Sequence, residues 1–194
     1  MNMHEFRKPE YDVDPVFLNR WSPRAMSGEE VSEAELMTLF TAARWAPSAN
    51  NNQPWRFIYA RKNTPHWQRF FDLLAELNQV WAVNAAVLAV VISKNTFDHN
   101  EKFSRTHSYD AGAAWENLAL QGSLKGLVVH GMQGFDYDRA KEALRVPDGY
   151  QVEAMMAIGK PGKKEALPDK YREREFPSGR KKLTEIIMEG FFKA

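Results

Sequence analysis

The sequence predicts an α+β domain in which helical layers cover both faces of a mixed β-sheet. Apolar strand patterns alternate with helical patterns along the chain, and this order favours a sheet that is packed between helices. Residues 85–92 are apolar throughout, which is typical of a strand covered on both faces. The chain has 194 residues and a hydrophobic content of 44%, enough for one domain with a substantial core.

The helices are predicted from capping signals and from apolar residues at helical spacing. Asp14 and Pro15 make a good cap and first residue for a short helix over residues 14–21. Residues 32–35 are Ser-Glu-Ala-Glu, a capping box, and we expect the helix that follows to end before Pro47. Further helices are predicted over residues 64–78, 110–125 and 136–144, with a terminal helix or arm over residues 181–192.

The strands are predicted from alternation and from short apolar runs. Residues 55–61 alternate apolar and polar side chains, as a half-buried strand does. Besides residues 85–92, shorter strands are expected over residues 126–130 and 152–158. Residues 95–108 are polar and are predicted to form a mobile loop. We find no internal repeat and no low-complexity linker, so residues 1–194 are expected to form a single domain.

The composition excludes several classes of site. The chain contains no Cys, which excludes disulfides, thiolate nucleophiles and Cys-ligated metals. Its 5 His residues show no spacing that places two on one helical face, so no metal site is expected. The formal net charge of +1 gives no electrostatic argument for nucleic acid. Neither a signal peptide nor a membrane-spanning run is recognisable, and we expect a cytoplasmic protein without membrane partners.

The most informative segment is residues 46–57, Ala-Pro-Ser-Ala-Asn-Asn-Asn-Gln-Pro-Trp-Arg-Phe. Its short side chains leave the backbone open to a ligand, and its amides offer donors and acceptors together. Such a surface suits a flat heterocycle that is hydrogen-bonded along its edge. An Asn-rich turn with internal hydrogen bonds would explain the Asn residues but not the Gln-Pro-Trp that follows. We therefore predict a binding site here and, together with residues 20–24, a bound flavin.

The second candidate motif is Arg20-Trp21-Ser22-Pro23-Arg24. Alternate side chains of an extended segment share a face, so Arg20, Ser22 and Arg24 can converge. Two guanidinium groups and a hydroxyl suit a phosphate. Taken alone, the motif favours a solvated basic turn, because short motifs are weak evidence for a site.

Together these two segments resemble the nitroreductase family of flavoproteins. Its members carry Arg-x-Ser-x-Arg/Lys near the N-terminus and a Pro-Ser segment ending in Gln-Pro-Trp-x-Phe before the first long strand. Further similarities occur in the same order and cover nearly the whole chain. They are Asn78 before an apolar strand, residues 110–114 at the start of a central helix, residues 130–136 in a loop, residues 157–161 at a strand end, and Arg180 ahead of the C-terminal segment.

The resemblance implies FMN bound at the interface of a homodimer. It also implies a mainly antiparallel sheet flanked by helices, and a C-terminal arm that reaches the partner subunit. The residues implied for the phosphate and ribityl chain are Arg20, Ser22, Arg24 and Arg180, with Trp21 inside the same motif. The partner subunit would supply Pro47, Ser48, Ala49 and Asn51.

The same resemblance assigns residues to the isoalloxazine ring. Asn78 would reach the polar edge of the ring. A backbone N–H, that of Gln133, would point at N5, where a donor stabilises developing charge without titrating. His130 precedes this loop and would contact the flavin or support the loop. The segment beside the ring consists of Gly131, Met132, Gln133 and Gly134.

The implied activity is that of an FMN-dependent oxidoreductase. NADH or NADPH would reduce the flavin and leave, and a planar acceptor such as a nitroaromatic or a quinone would take its place in a ping-pong cycle. No side chain is assigned a catalytic role, because the cofactor carries the chemistry. Ala49 stands where Ser is frequent, and Trp81 where some members carry a basic residue, so the substrate preference of relatives is not transferred.

Two alternatives stay open at this point. The same fold supports other flavin chemistry, namely flavin fragmentation, reductive dehalogenation and ring oxidation. The chain could also be a non-catalytic flavin-binding or interaction protein that uses its basic C-terminal region for a partner.

Overall fold

The fold is that of an α+β protein, as predicted from the sequence, in a computed structural model that describes residues 3–192. Within these residues a central sheet is covered by helices on both faces. None of the described helices is both long enough and apolar enough to cross a bilayer. The helices are α1 (Pro15–Asn19), α2 (Glu33–Arg44), α3 (Trp67–Phe71), α4 (Glu76–Ala82), α5 (His107–Leu124), α6 (Tyr137–Ala143) and α7 (Asp169–Arg172).

The sheet has four strands in the order β1-β2-β4-β3. The strands are β1 (Trp55–Arg61), β2 (Val87–Lys94), β3 (Val128–Met132) and β4 (Tyr150–Gly159). All of the pairings described between these strands are antiparallel. The described sheet is therefore wholly antiparallel rather than mixed, because each strand runs opposite to the neighbour with which it pairs.

Strand β2 separates two hydrophobic cores, as its apolar sequence predicts. Leu88 and Val90 lie in the first core, with side chains of α3, α4 and α6. Val87 and Ala89 lie in the second core, with side chains of α2 and α5. Full burial of each of the Leu and Val side chains stabilises the fold by about 1.5–3 kcal/mol.

Helix α5 packs along α2 and against the sheet. A Cβ atom at Gly122 would lie 2.6 Å from Cγ2 of Val129, so only glycine allows this close approach of helix to strand. Helix α2 begins at the predicted capping box, because the Ser32 hydroxyl accepts from Glu35 N–H and the Glu35 carboxylate accepts from Ser32 N–H. Helix α5 is thereby held between α2 and the sheet.

The helix predicted over residues 64–78 is divided into α3 and α4, so that prediction was wrong. Between them the chain pairs with a distant segment: Ala75 N–H donates to the Gly134 carbonyl at 3.0 Å, and Asp136 N–H donates to the Leu73 carbonyl at 2.9 Å. Hydrogen bonds between segments this far apart in sequence cannot be read from apolar spacing. The break places Asn78 beside Gly134.

The C-terminal segment is an arm rather than a helix. Its regular structure consists of one short 3-10 turn, Leu183–Glu185. Large apolar side chains beyond the turn are exposed, among them Ile187, Phe191 and Phe192. The segment over residues 95–106 is also irregular, but it is held near Asn52, whose side chain bonds to the Thr96 carbonyl and to Asp98 N–H.

Candidate functional site

In the segment over residues 20–24, Arg20 lies beside Ser22, whereas the Arg24 side chain is directed to Glu175. Arg20 Nη1 lies 3.4 Å from the Ser22 hydroxyl oxygen, to which it donates. Trp21 and Pro23 instead line a cavity of about 360 Å³ on the other side of the segment. The structure therefore brings Arg20 and Ser22 together but does not bring Trp21 to their side.

A buried arginine holds this segment in place. The Arg7 guanidinium donates to the carbonyl oxygens of Leu18 and Arg20, both at 2.7 Å, and to that of Ser178 at 3.1 Å. Burial lowers the pKa of Arg7, and the positive charges of Arg180 and Arg20 lower it further. The Arg7 guanidinium thus lies within electrostatic reach of two others, which is an environment that an anionic phosphate neutralises.

Glu175 fixes the other end of the same segment. Its Oε1 accepts from the main-chain N–H groups of Arg24 and Ala25, at 2.7 and 2.8 Å, in a buried position. The Arg24 guanidinium lies 4.0 Å from Glu175 Oε2. Neither Arg7 nor Glu175 belongs to a recognisable motif, so sequence reasoning missed both residues.

His130 connects β3 to residues 20–24, the arginine segment. Its Nδ1 lies 2.9 Å from the Pro23 carbonyl oxygen, and its ring centroid lies 4.5 Å from that of buried Trp81. Burial lowers the pKa of His130 to about 4, although the hydrogen bond to Pro23 opposes this shift. The imidazole is therefore neutral at pH 7, with Nδ1–H donating to Pro23.

Beyond His130, the end of β3 forms one wall of a cavity of about 490 Å³. Gly131 and Gln133 line this wall, and α5 contributes Ala111, Gly112 and Trp115 opposite. A Cβ atom at Gly131 would lie 2.9 Å from Cζ2 of Trp115, so glycine is required for the indole to lie where it does. Trp115 Nε1 is buried and has no hydrogen-bond partner among the described residues.

Asn78 and Gly134 meet at the outer side of this loop. Asn78 Nδ2 donates to the Gly134 carbonyl oxygen at 2.9 Å. A Cβ atom at Gly134 would approach the same nitrogen to 2.8 Å, so a larger residue would displace the amide. Met132 also lines the cavity but is almost fully buried.

The loop over residues 47–53 contains three residues with a left-handed backbone conformation. Asn50, Asn51 and Gln53 adopt positive φ angles of 52°, 51° and 49°, a conformation that Asn tolerates better than most residues. Pro47 and Asn51 are exposed. The main-chain N–H of Ala49 donates to Asp110 Oδ2 at 3.1 Å, which ties the loop to the start of α5.

This loop and the arginine segment contact helix α5 at different positions. Asp110 holds the loop, whereas Glu116 lies 3.3 Å from Arg20 Nε. Six positions along an α-helix correspond to a rotation of about 600°, which is about 240° beyond one full turn. These two contacts therefore lie roughly 120° apart around the axis. The loop that contains Pro47, Ser48, Ala49 and Asn51 therefore meets α5 at another turn and on another side than the segment that contains Arg20 and Ser22.

Comparison with known proteins defines the class to which this fold and site belong. Residues 18–80 and 61–160 match the sequence model described as "Nitroreductase family". The chain belongs to the nitroreductase family, as the motifs in its sequence suggested.

Individual relatives extend the comparison over most of the chain. A crystal structure described as an oxidoreductase containing FMN is 51% identical, with a TM-score of 0.92, and 96% of each chain is covered. A protein from Desulfovibrio desulfuricans, provisionally assigned as a nitroreductase and solved with FMN, is 25% identical, with a TM-score of 0.72 over 94% of this chain and 100% of that one. A protein from Archaeoglobus fulgidus, provisionally assigned as an NADH dehydrogenase/NAD(P)H nitroreductase, is 26% identical over 160 residues, which cover 75% of this chain and 83% of the relative.

Proposed function

We propose that this protein is an FMN-dependent oxidoreductase that receives electrons from NADH or NADPH and passes them to a planar acceptor such as a nitroaromatic or a quinone. The observation that carries the proposal is the link between an arginine cluster and a cavity. Pro23 of the arginine segment accepts from His130, and the cavity begins at the next residue of β3, Gly131. A phosphate group and a ring joined by a ribityl chain suit such an arrangement. The FMN named in two similar structures supports the same assignment.

The residues present fit FMN chemically. The guanidinium groups of Arg20, Arg24 and Arg180 and the hydroxyl of Ser22 would hold the phosphate and ribityl chain. In the cavity, the buried Trp115 Nε1–H is a donor that has no acceptor among the described residues, and a flavin carbonyl would supply one. The volume of about 490 Å³ lies within the roughly 300–1,000 Å³ usual for ligand pockets.

When bound, FMN would supply the redox chemistry by accepting a hydride from the nicotinamide and donating it to the acceptor. The chain itself would position the flavin ring and polarise it through hydrogen bonds. The main-chain N–H of Gln133 would lie at N5, and Asn78 would meet the polar edge of the ring from its place beside Gly134. Because His130 is neutral, it would stabilise the loop without placing a charge beside the flavin.

The complete site would need two copies of the chain. The separation of the loop from the arginine segment around α5 supports a homodimer in which the partner subunit contributes Pro47, Ser48, Ala49 and Asn51. The exposed apolar side chains of the C-terminal arm support the same assembly, since burying them against a second copy would be favourable. The arm would then reach the partner subunit.

Purification tests the cofactor, and steady-state assays test the activity. We expect a yellow protein that releases FMN on denaturation and oxidises NADH or NADPH when a nitroaromatic or quinone is present. Arg20→Ala should lose most of its FMN, whereas Arg44→Ala, on the exposed end of α2, should retain it. A colourless protein that takes up no added FMN would overturn the proposal.

A further inference from the structure

A β-bulge in β4 directs one carboxylate, that of Glu153, towards the cavity proposed to hold the flavin. Val91 of β2 pairs with Ala154, but the next residue, Ile92, pairs with Val152, so Glu153 has no partner across the strand. Val152 and Met155 both lie in the first core, and the two residues between them both line the cavity. Bulges commonly redirect a side chain in this way next to functional sites.

Glu153 is held by a polar network beneath the cavity wall. Its Oε1 accepts from the Ser108 hydroxyl at 2.8 Å and from the Ser93 hydroxyl. Gln151 Nε2 donates to Oε2 at 3.3 Å. Ser93 Oγ also lies 2.7 Å from His107 Nδ1; because the single Ser93 hydroxyl hydrogen goes to Glu153, Nδ1–H of His107 donates to Ser93. These bonds fix the carboxylate in one orientation.

On the cavity side, the described residues give Glu153 a hydroxyl partner, that of Ser108, but no positive charge. Among the described residues that line the cavity, Glu153 is the one Asp, Glu, Lys or Arg side chain. Val91, Ala111 and Ala154 in the same lining cannot hydrogen-bond through their side chains. The remaining polar side chains of the lining are uncharged: Ser108, Trp115, Gln133 and Tyr137. The nearest partner that can carry a positive charge is His107, whose Nδ1 lies 3.6 Å from Oε1, and it approaches from the buried side rather than from the cavity.

We propose that Glu153 determines which electron acceptors this protein binds. The carboxylate would receive a hydrogen-bond donor or a positive charge on the acceptor. The cavity would therefore take planar acceptors that carry an amine, amide or hydroxyl group and reject those that carry a carboxylate, since two like charges in a poorly hydrated cavity repel strongly. This inference rests on the proposed function, because it deepens the role of the same cavity.

Two probes with the same nitrobenzene ring and opposite charges test the inference. We expect the wild-type protein to show a kcat/KM for para-nitrobenzylamine that exceeds that for para-nitrobenzoate by at least about tenfold, or ~1.4 kcal/mol. Glu153→Gln should bring the two values to within about threefold of each other, less than ~1 kcal/mol. Glu142→Gln, which alters an exposed side chain of α6, should keep the wild-type ratio.

Binding without turnover provides an independent measurement. Titration of the purified, oxidised protein with each probe, followed by tryptophan fluorescence, should show the same preference in Kd, because Trp115 lines the cavity. Ser93→Ala, which frees the carboxylate on one side, should reduce the preference less than Glu153→Gln does. A purely structural role for Glu153 would change the melting temperature while leaving the ratio of Kd values unaltered, and this result would overturn the inference.

The inference and the proposed function fail in different ways. If the protein holds FMN and turns over but treats both probes alike, before and after the Glu153→Gln change, the role of Glu153 is wrong and the oxidoreductase stands. If no FMN binds and no turnover occurs, the oxidoreductase is wrong; a Glu153-dependent preference in the titrations would still support the recognition site.

Discussion

The buried guanidinium of Arg7 donates to the main-chain carbonyl oxygen of Arg20 at 2.7 Å. This bond joins the N-terminal segment to the candidate phosphate-binding motif. The same guanidinium reaches the carbonyl oxygen of Ser178, two residues before Arg180. One side chain therefore holds both arginine-bearing segments in place, and Arg7 acts as a positioning residue for the site.

Replacing Arg7 tests this positioning role. Arg7→Ala removes the charged donor that the carbonyls of Leu18 and Arg20 share, and one of the two donors to the Ser178 carbonyl. A hydrogen bond to a charged group typically contributes ~1.5–3 kcal/mol. We expect a lower melting temperature and at least about tenfold weaker FMN binding, or ~1.4 kcal/mol. Lys8→Ala, at an exposed neighbouring position, should change neither. Differential scanning fluorimetry and FMN titration provide both values, and an Arg7→Ala protein with wild-type FMN affinity would contradict the prediction.

The close approach of Gly131 to Trp115 predicts that a second substitution restores the stability lost in Gly131→Ala. Gly131→Ala places a Cβ atom 2.9 Å from Trp115 Cζ2, so the two must move apart. Because both residues line the cavity, FMN binding should weaken. Overpacking of this kind typically also costs ~1–3 kcal/mol of stability. Adding Trp115→Leu removes the clashing atoms and should restore stability relative to Gly131→Ala alone. Chemical denaturation of both variants measures this, and additive losses in the double variant would refute a direct contact.

The low pKa of His130 predicts a pH-dependent stability. The folded value of about 4 lies below the unfolded value of about 6.5, so the unfolded chain binds the proton first as the pH falls. The free energy of unfolding should decrease by ~3 kcal/mol between pH 6.5 and pH 4 through this group. In His130→Asn, whose amide can still donate to Pro23, this contribution should be missing. Equal pH slopes for the two proteins in urea denaturation would show that His130 is not buried as described.

A shared site predicts complementation between two defective variants. Arg20→Ala damages the phosphate motif, and Pro47→Trp places a bulky group on the exposed loop that the partner's flavin would meet. Each homodimer should bind little FMN, whereas a mixed dimer, co-expressed with two affinity tags, contains one intact site. We therefore expect one FMN per mixed dimer, measured by absorbance after tandem purification. A mixed dimer without FMN, or full FMN occupancy in the Pro47→Trp homodimer, would place the complete site in one subunit.

The sequence predicts those features that depend on neighbouring residues or on hydrophobic burial. The capping box at Ser32 and the doubly covered strand β2 are local signals of this kind. The role of Arg7 depends on a carbonyl 171 positions away, and no local pattern reports such a contact. The bulge at Glu153 likewise could not be predicted from the sequence, because it is defined by pairing with β2 rather than by the composition of β4.

The anaerobic half-reactions test the central claim most directly. Purified protein loaded with FMN is mixed with NADH or NADPH in a stopped-flow spectrometer, and a nitroaromatic acceptor is added after the nicotinamide has been consumed. We expect at least one nicotinamide to bleach the flavin absorbance and the acceptor to restore it, both faster than with free FMN. A bound flavin that stays oxidised with both nicotinamides, or a protein that binds no FMN, would contradict the proposed function.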